Sequence, residues 1–180
     1  EYGLGLELSL LSPLEIGRGY RAATGESGTW LHYRKGIRDA TTGAYSVPLW
    51  RHTKWSNNKG TIAVEDAGVR VFAFNERSLN GTPYLAVDPN SIVEITDTAK
   101  VEVWPGAVVK QGGFGAVRVR IHGEGHADIG ALDCVIVVQQ YRTPEMDYFS
   151  PQAFPFLKQL IDKYLDAGVK LTALYSDEMH

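Results

Sequence analysis

Two acidic residues near the end of the chain, Asp177 and Glu178, stand in Ser176-Asp177-Glu178-Met179-His180, directly after the run Val169-Lys170-Leu171-Thr172-Ala173-Leu174-Tyr175. A carboxyl group at a strand end can protonate a leaving oxygen, accept a proton or attack as a nucleophile. Successive residues of a strand point to opposite faces, so a regular strand directs one of the two into a given cleft. Glu178 shares parity with Thr172, Leu174 and Ser176, the more polar side, and is the expected catalytic group, with Asp177 the alternative. The apolar run Val135-Ile136-Val137-Val138 ends in the polar cluster Gln139-Gln140-Tyr141-Arg142, of which Gln140, Tyr141 and Arg142 are expected to position substrate, together with His180. An acidic loop, or a helix start capped by Ser176 or Asp177, is the plain reading of the same cluster.

The elements that must hold these residues follow from local pattern. Val135 to Val138 is apolar without alternation, as a strand buried on both faces of a parallel sheet would be. Ser150-Pro151 resembles a helix start, an N-cap hydroxyl followed by proline where its missing N–H costs nothing. Phe154, Leu157, Leu160, Ile161, Tyr164 and Leu165 recur at helical spacing, and Gly168 stands where a left-handed residue closes a helix. Residues 131–180 are therefore expected to form strand, helix and strand, a parallel β–α–β unit with a right-handed crossover. In such architectures ligands meet the carboxyl ends of the strands.

Asp147-Tyr148-Phe149-Ser150-Pro151, Val137 to Met146 and Gly168 to His180 resemble a segment of large multidomain bacterial glycoside hydrolases, in which a (β/α) barrel is joined to β-sandwich regions. The resemblance implies a sugar-cleaving activity, a carbohydrate substrate and no cofactor. It also implies a second catalytic carboxylate from sequence beyond this chain, because glycoside hydrolysis uses two. A barrel takes roughly 250 residues, so the chain is read as a piece that contacts either the remainder of a larger polypeptide or another chain. Polysaccharide degradation carries with it the expectation of periplasmic or secreted placement.

Composition is that of an ordinary folded domain: 180 residues, 44% hydrophobic, 22% charged and a net charge of −3. The acidity argues against a nucleic-acid partner, and no apolar run approaches the ~20 residues of a membrane span. Cys134 is the single cysteine, so a disulfide within the chain is excluded.

Residues 30–59 place Trp30, Tyr33, Tyr45, Trp50 and Trp55 among six basic residues and one acid, Asp39. Three readings compete: a glycan stacked on the aromatics with basic groups pairing to uronate or sulfate, single-stranded nucleic acid, or tryptophans filling a sandwich core. Trp50 and Trp55 are the candidate glycan contacts, and a binding module without catalysis is the alternative to the hydrolase. Between 69 and 121, short strands are separated by Asp88-Pro89-Asn90, Pro105-Gly106 and Gly112-Gly113, the pattern of a β-sandwich. His122, Glu124 and His126 alternate with glycines; this is read as a solvated hinge rather than a metal clip, and no metal site is assigned. The expected fold is thus α+β, a β-sandwich-like region over 1–125 followed by a β–α–β segment of a (β/α) barrel over 126–180.

Overall fold

The computed structural model describes residues 5–9, 27–57, 60–111 and 114–175. Its strands are β1 (Leu6–Ser9), β2 (Ser27–Ile37), β3 (Tyr45–Asn57), β4 (Gly60–Ala63), β5 (Glu65–Phe74), β6 (Glu76–Ser78), β7 (Leu85–Val87), β8 (Val93–Glu94), β9 (Lys100–Gln111), β10 (Phe114–Gly123), β11 (Cys134–Met146) and β12 (Leu171–Tyr175), with, among the described residues, one α-helix, α1 (Ala153–Asp166), and three single 3-10 turns. Two four-stranded sheets, β4-β3-β10-β9 and β2-β11-β5-β8, are antiparallel throughout. A small β6-β7 hairpin and a parallel β1-β12 pair accompany them.

Alternation along the strands makes the core. Tyr45, Val47 and Leu49 of β3 and Val119 and Ile121 of β10 are buried from one sheet, while Val71 and Ala73 of β5 and Val135 and Val137 of β11 are buried from the other. Each valine, leucine or isoleucine among them contributes about 1.5–3 kcal/mol on burial. Gly36 of β2 belongs to this packing, since a Cβ there would come within 2.6 Å of the Val47 side chain.

The connections are locked at one end of the sandwich. Asp39 accepts the Thr41 and Thr42 N–H groups and shapes the β2–β3 turn. Gly43 closes that turn at φ 75°, and a Cβ on it would strike the Gly125 carbonyl oxygen. Arg38, 1% exposed, donates to the carbonyls of Leu132 at 2.8 Å and His126 at 2.6 Å. It thereby pins the segment that carries the chain from β10 in one sheet to β11 in the other.

The expected parallel β–α–β unit built on Val135 to Val138 is overturned, and with it the (β/α) barrel segment and the α+β class: the molecule is mainly antiparallel β. β11 lies inside the second sheet, antiparallel to both β2 and β5, and the parallel partner of β12 is β1. The apolar run is explained without a parallel sheet. Val135 and Val137 fill the space between the sheets, whereas Ile136 and Val138 are half-buried on the outer face, Ile136 opposite Phe72 and Val138 opposite Tyr33. Apolar side chains on both faces report cover on both faces and are silent on strand direction.

The helix starts at Ala153 rather than at Pro151, and its N-cap, Gln152, makes no side-chain cap. Pro155 is tolerated because it falls in the first turn, where backbone N–H groups have no partner inside the helix. Gly168 closes the helix as expected, at φ 77°, with its N–H on the Leu165 carbonyl and the Val169 N–H on the Tyr164 carbonyl. Among the described residues no helix is long and apolar enough to cross a membrane.

Candidate functional site

Trp50 follows the buried Leu49 on β3 and therefore faces out of the sandwich. Directly opposite it on β10 is Arg118. On the far side of β10 the ladder is irregular: Val117 pairs with Val108 and Val119 with Val103, so residues 104–107 of β9 stand opposite Arg118 alone. Pro105, which has no N–H for the ladder, sits in that bulge, and bulges of this kind re-aim the neighbouring side chain. Trp104 is brought against Arg118 as a result. The Arg118 guanidinium carbon lies 5.3 Å from the centroid of the Trp50 ring and 5.4 Å from that of Trp104, both within cation–π range.

This row crosses three strands, two inter-strand spacings of about 4.8 Å each. Trp104 is 37% exposed, and Trp50 and Arg118 are partly so. The next row on the same face is Pro48, Arg120 and Glu102, with Arg120 bonded to Glu102. His122 Nε2 lies 3.8 Å from the Glu102 carboxylate. The face thus combines indole surface, one guanidinium without a carboxylate, and one neutralised ion pair. It can offer stacking, indole and guanidinium N–H donors and the localised positive charge of Arg118, with Lys100 exposed two rows away opposite His122.

A second polar group lies between the sheets. Gln139, 1% exposed, holds Nε2 within hydrogen-bond distance of the Asp66 carboxylate and of the Gly68 and Gln140 carbonyls. Arg51 pairs with Asp66 at 2.5 Å. Burial pushes the Asp66 carboxyl up, but the Gly68 N–H, Arg51 and Gln139 outweigh it and hold it below its ordinary value. The His52 N–H donates to the Tyr141 hydroxyl at 2.9 Å, and the His52 and His32 rings are 5.2 Å apart. Burial, and then the neighbouring His32, push the His52 imidazole down, so it is neutral at pH 7. These bonds tie β3, β5 and β11 together, as a buried polar network must be tied if it is to be stable.

The residues expected from the sequence are dispersed. Tyr141 points between the sheets and is buried, while its neighbours Gln140 and Arg142 face outward on the second sheet. Trp50 lies on the outer face of the first sheet, so the structure does not bring it together with Gln140 and Arg142. Trp55 is in β3 opposite Ile62, and its side chain is outside what the structure describes. Asp177, Glu178 and His180 lie outside the described residues.

The aromatic-rich stretch divides between the readings. Trp30 packs on Val64 and Tyr141, and Tyr45 is in the core; Trp50 is on the outer face, and Tyr33 is exposed on the other sheet. His122 and His126 go separate ways, the latter to Asp97 at 3.1 Å. Among the described residues no group of three His, Cys, Asp or Glu could hold a metal ion. Burial and Asp133 push the Cys134 thiol up to about 11, which leaves it a poor nucleophile at neutral pH.

Arg118 and Trp104 were not singled out in the sequence. The two-residue period of 100–104 and 117–121 puts Glu102 with Trp104 and Arg118 with Arg120, but which strands become neighbours is a non-local fact. Compared with family models, with curated protein sequences and with solved structures, the chain matches none of them.

Proposed function

We propose that the β-sandwich binds carbohydrate on the outer face of the β4-β3-β10-β9 sheet, with Trp50 and Trp104 as stacking surfaces and Arg118 between them. The observation that carries this reading is the pair of partly exposed indoles on the two strands flanking β10, gathered around one guanidinium. Indoles supply a broad apolar face with a hydrogen-bond donor at the edge, which suits the apolar faces and hydroxyl rims of sugar rings. Core tryptophans would be covered; these are not.

Affinity electrophoresis in gels containing neutral and acidic polysaccharides tests the reading. The wild type should be retarded by at least one polymer, Trp104→Ala should bind it at least tenfold more weakly, and Trp50→Ala with Trp104→Ala should not bind it. Wild-type mobility unchanged in every gel would end the carbohydrate reading.

One observation favours a second reading, glycoside hydrolysis by the chain. β12 is paired in parallel with β1 and runs directly toward Ser176-Asp177-Glu178, so the acidic cluster follows the carboxyl end of a parallel pair, where catalytic groups commonly sit. Release of reducing ends from the same polymers, abolished by Glu178→Gln, would support it; an equal rate in that variant would remove Glu178 from the chemistry.

A further inference from the structure

We infer that the ligand of the Trp50–Arg118–Trp104 surface is an anionic glycan, one whose carboxylate or sulfate group is received by Arg118. The inference rests on the carbohydrate reading above and adds the charge of the ligand.

The arginines of the described residues make the case. Among those that are not exposed, Arg38 donates from its terminal nitrogens to backbone carbonyls, although its Nε is buried without an acceptor, Arg51 pairs with Asp66 and Arg120 with Glu102. Arg118 is the exception: among the described residues it has neither an ion-pair nor a hydrogen-bond partner, and its Nε is buried without an acceptor. Taking a cation partly out of water without a counter-charge costs free energy. The two ring faces offset part of that cost through the negative face of each quadrupole, but they give the N–H groups nothing to bond. The terminal nitrogens are not among the buried atoms that lack a partner, so they are at the surface.

An arriving carboxylate or sulfate supplies what the site lacks. Its oxygens accept from the planar guanidinium in the geometry for which arginine is suited. The neighbouring cation does not compete, because Arg120 is already neutralised by Glu102. One anionic group is therefore read at one place, while the sugar rings bearing it meet the indoles on either side. A neutral glycan would leave the Arg118 cation as it stands and gain the stacking alone.

The test uses matched polymers: polygalacturonate against its fully methyl-esterified form for the carboxylate, and dextran sulfate against dextran for the sulfate. Titration calorimetry on the wild-type chain should show binding to a charged member at least tenfold tighter than to its neutral counterpart, with the preference shrinking as salt rises. Arg118→Gln should remove the preference for the charged member, and Trp104→Ala should weaken binding of both members. The charged member that binds identifies carboxylate or sulfate as the source. Equal binding of charged and neutral members by the wild type overturns the inference and leaves the carbohydrate reading intact. No binding to any of the four, or to other polysaccharides, overturns both. Equal or tighter binding of a single-stranded oligonucleotide, lost in Arg118→Gln, overturns the glycan in favour of a nucleic-acid ligand. If Arg118→Gln fails to fold by circular dichroism, the salt dependence and the matched-polymer ratio of the wild type decide the question.

Discussion

The two regions of the molecule use the same kinds of apolar residue to different effect. In the sandwich, Val71, Ala73, Val119, Val135 and Val137 have no exposure at all, and the buried cation, Arg38, has carbonyls to bond. In α1 and the parallel β1-β12 pair, the helix buries Ala153 in a cluster with Met146 and half-buries Phe156 and Leu157, while Phe154, Leu165 and Leu174 are all at least half exposed. Core contact, not hydrophobicity, decides what a side chain contributes. A period-2 strand facing another sheet is covered along its whole inner parity, whereas the helical stripe meets cover on one part of its width.

The comparison predicts unequal tolerance to substitution. The largest effect belongs to Val137→Asp, which puts a carboxylate without a partner between the sheets beside Val47, Val71 and Val119. The cost is expected to exceed about 4 kcal/mol, more than a marginally stable domain can absorb, so the variant should show no cooperative thermal transition by circular dichroism. A normal melt would mean that the inter-sheet space is wetter than its burial indicates.

Arg38→Met comes next. The methionine fills much of the volume but leaves the Leu132 and His126 carbonyls without their donors, for a loss of about 2–4 kcal/mol. His126 has a left-handed backbone, φ 52°, that an unanchored segment has less reason to keep. Hydrogen exchange should therefore rise first over residues 124–133, with the strands protected. Uniform loss of protection would mean that Arg38 supports the whole sandwich rather than this one connection.

Much of the sandwich was legible in the sequence, and the reason is local. Alternation and turn residues such as Asp88-Pro89-Asn90 mark strands whatever their neighbours, and Gly168 marks the helix end. What was not legible was pairing. The four residues Val135 to Val138 satisfy a parallel and an antiparallel strand equally, and nothing near them in sequence says that β2 and β5 flank them or that β1 is the partner of β12. The candidate site divides in the same way. Trp50 could be suspected from its residue type, whereas Arg118 and Trp104 acquire meaning only when the β9 bulge sets 104 against 118. The helix start was misplaced for a chemical reason: Ser150-Pro151 fits an N-cap pair, yet Ser150 and Pro151 form a turn that passes the helix start on to Ala153.

The smallest effect, and the one that sharpens the comparison most, is that of Leu174→Ser, read against Leu49→Ser as its matched change in the core. Leu49 on β3 is 2% exposed and Leu174 on β12 is 54% exposed. Leu49→Ser removes a full side chain from the core and introduces a hydroxyl, for a loss of about 3 kcal/mol or more. Leu174→Ser exchanges one partly hydrated surface group for another and is expected to stay within about 0.5 kcal/mol. Denaturant melts of the two variants, compared at equal m-value, give the difference directly. If Leu174→Ser costs as much as Leu49→Ser, the outward side of β12 is covered in solution, and the cost should then depend on protein concentration because a second copy supplies the cover. If the cost is small and independent of concentration, the parallel layer stands as the structure places it, with Leu174 exposed and the stability of the chain residing between the two sheets.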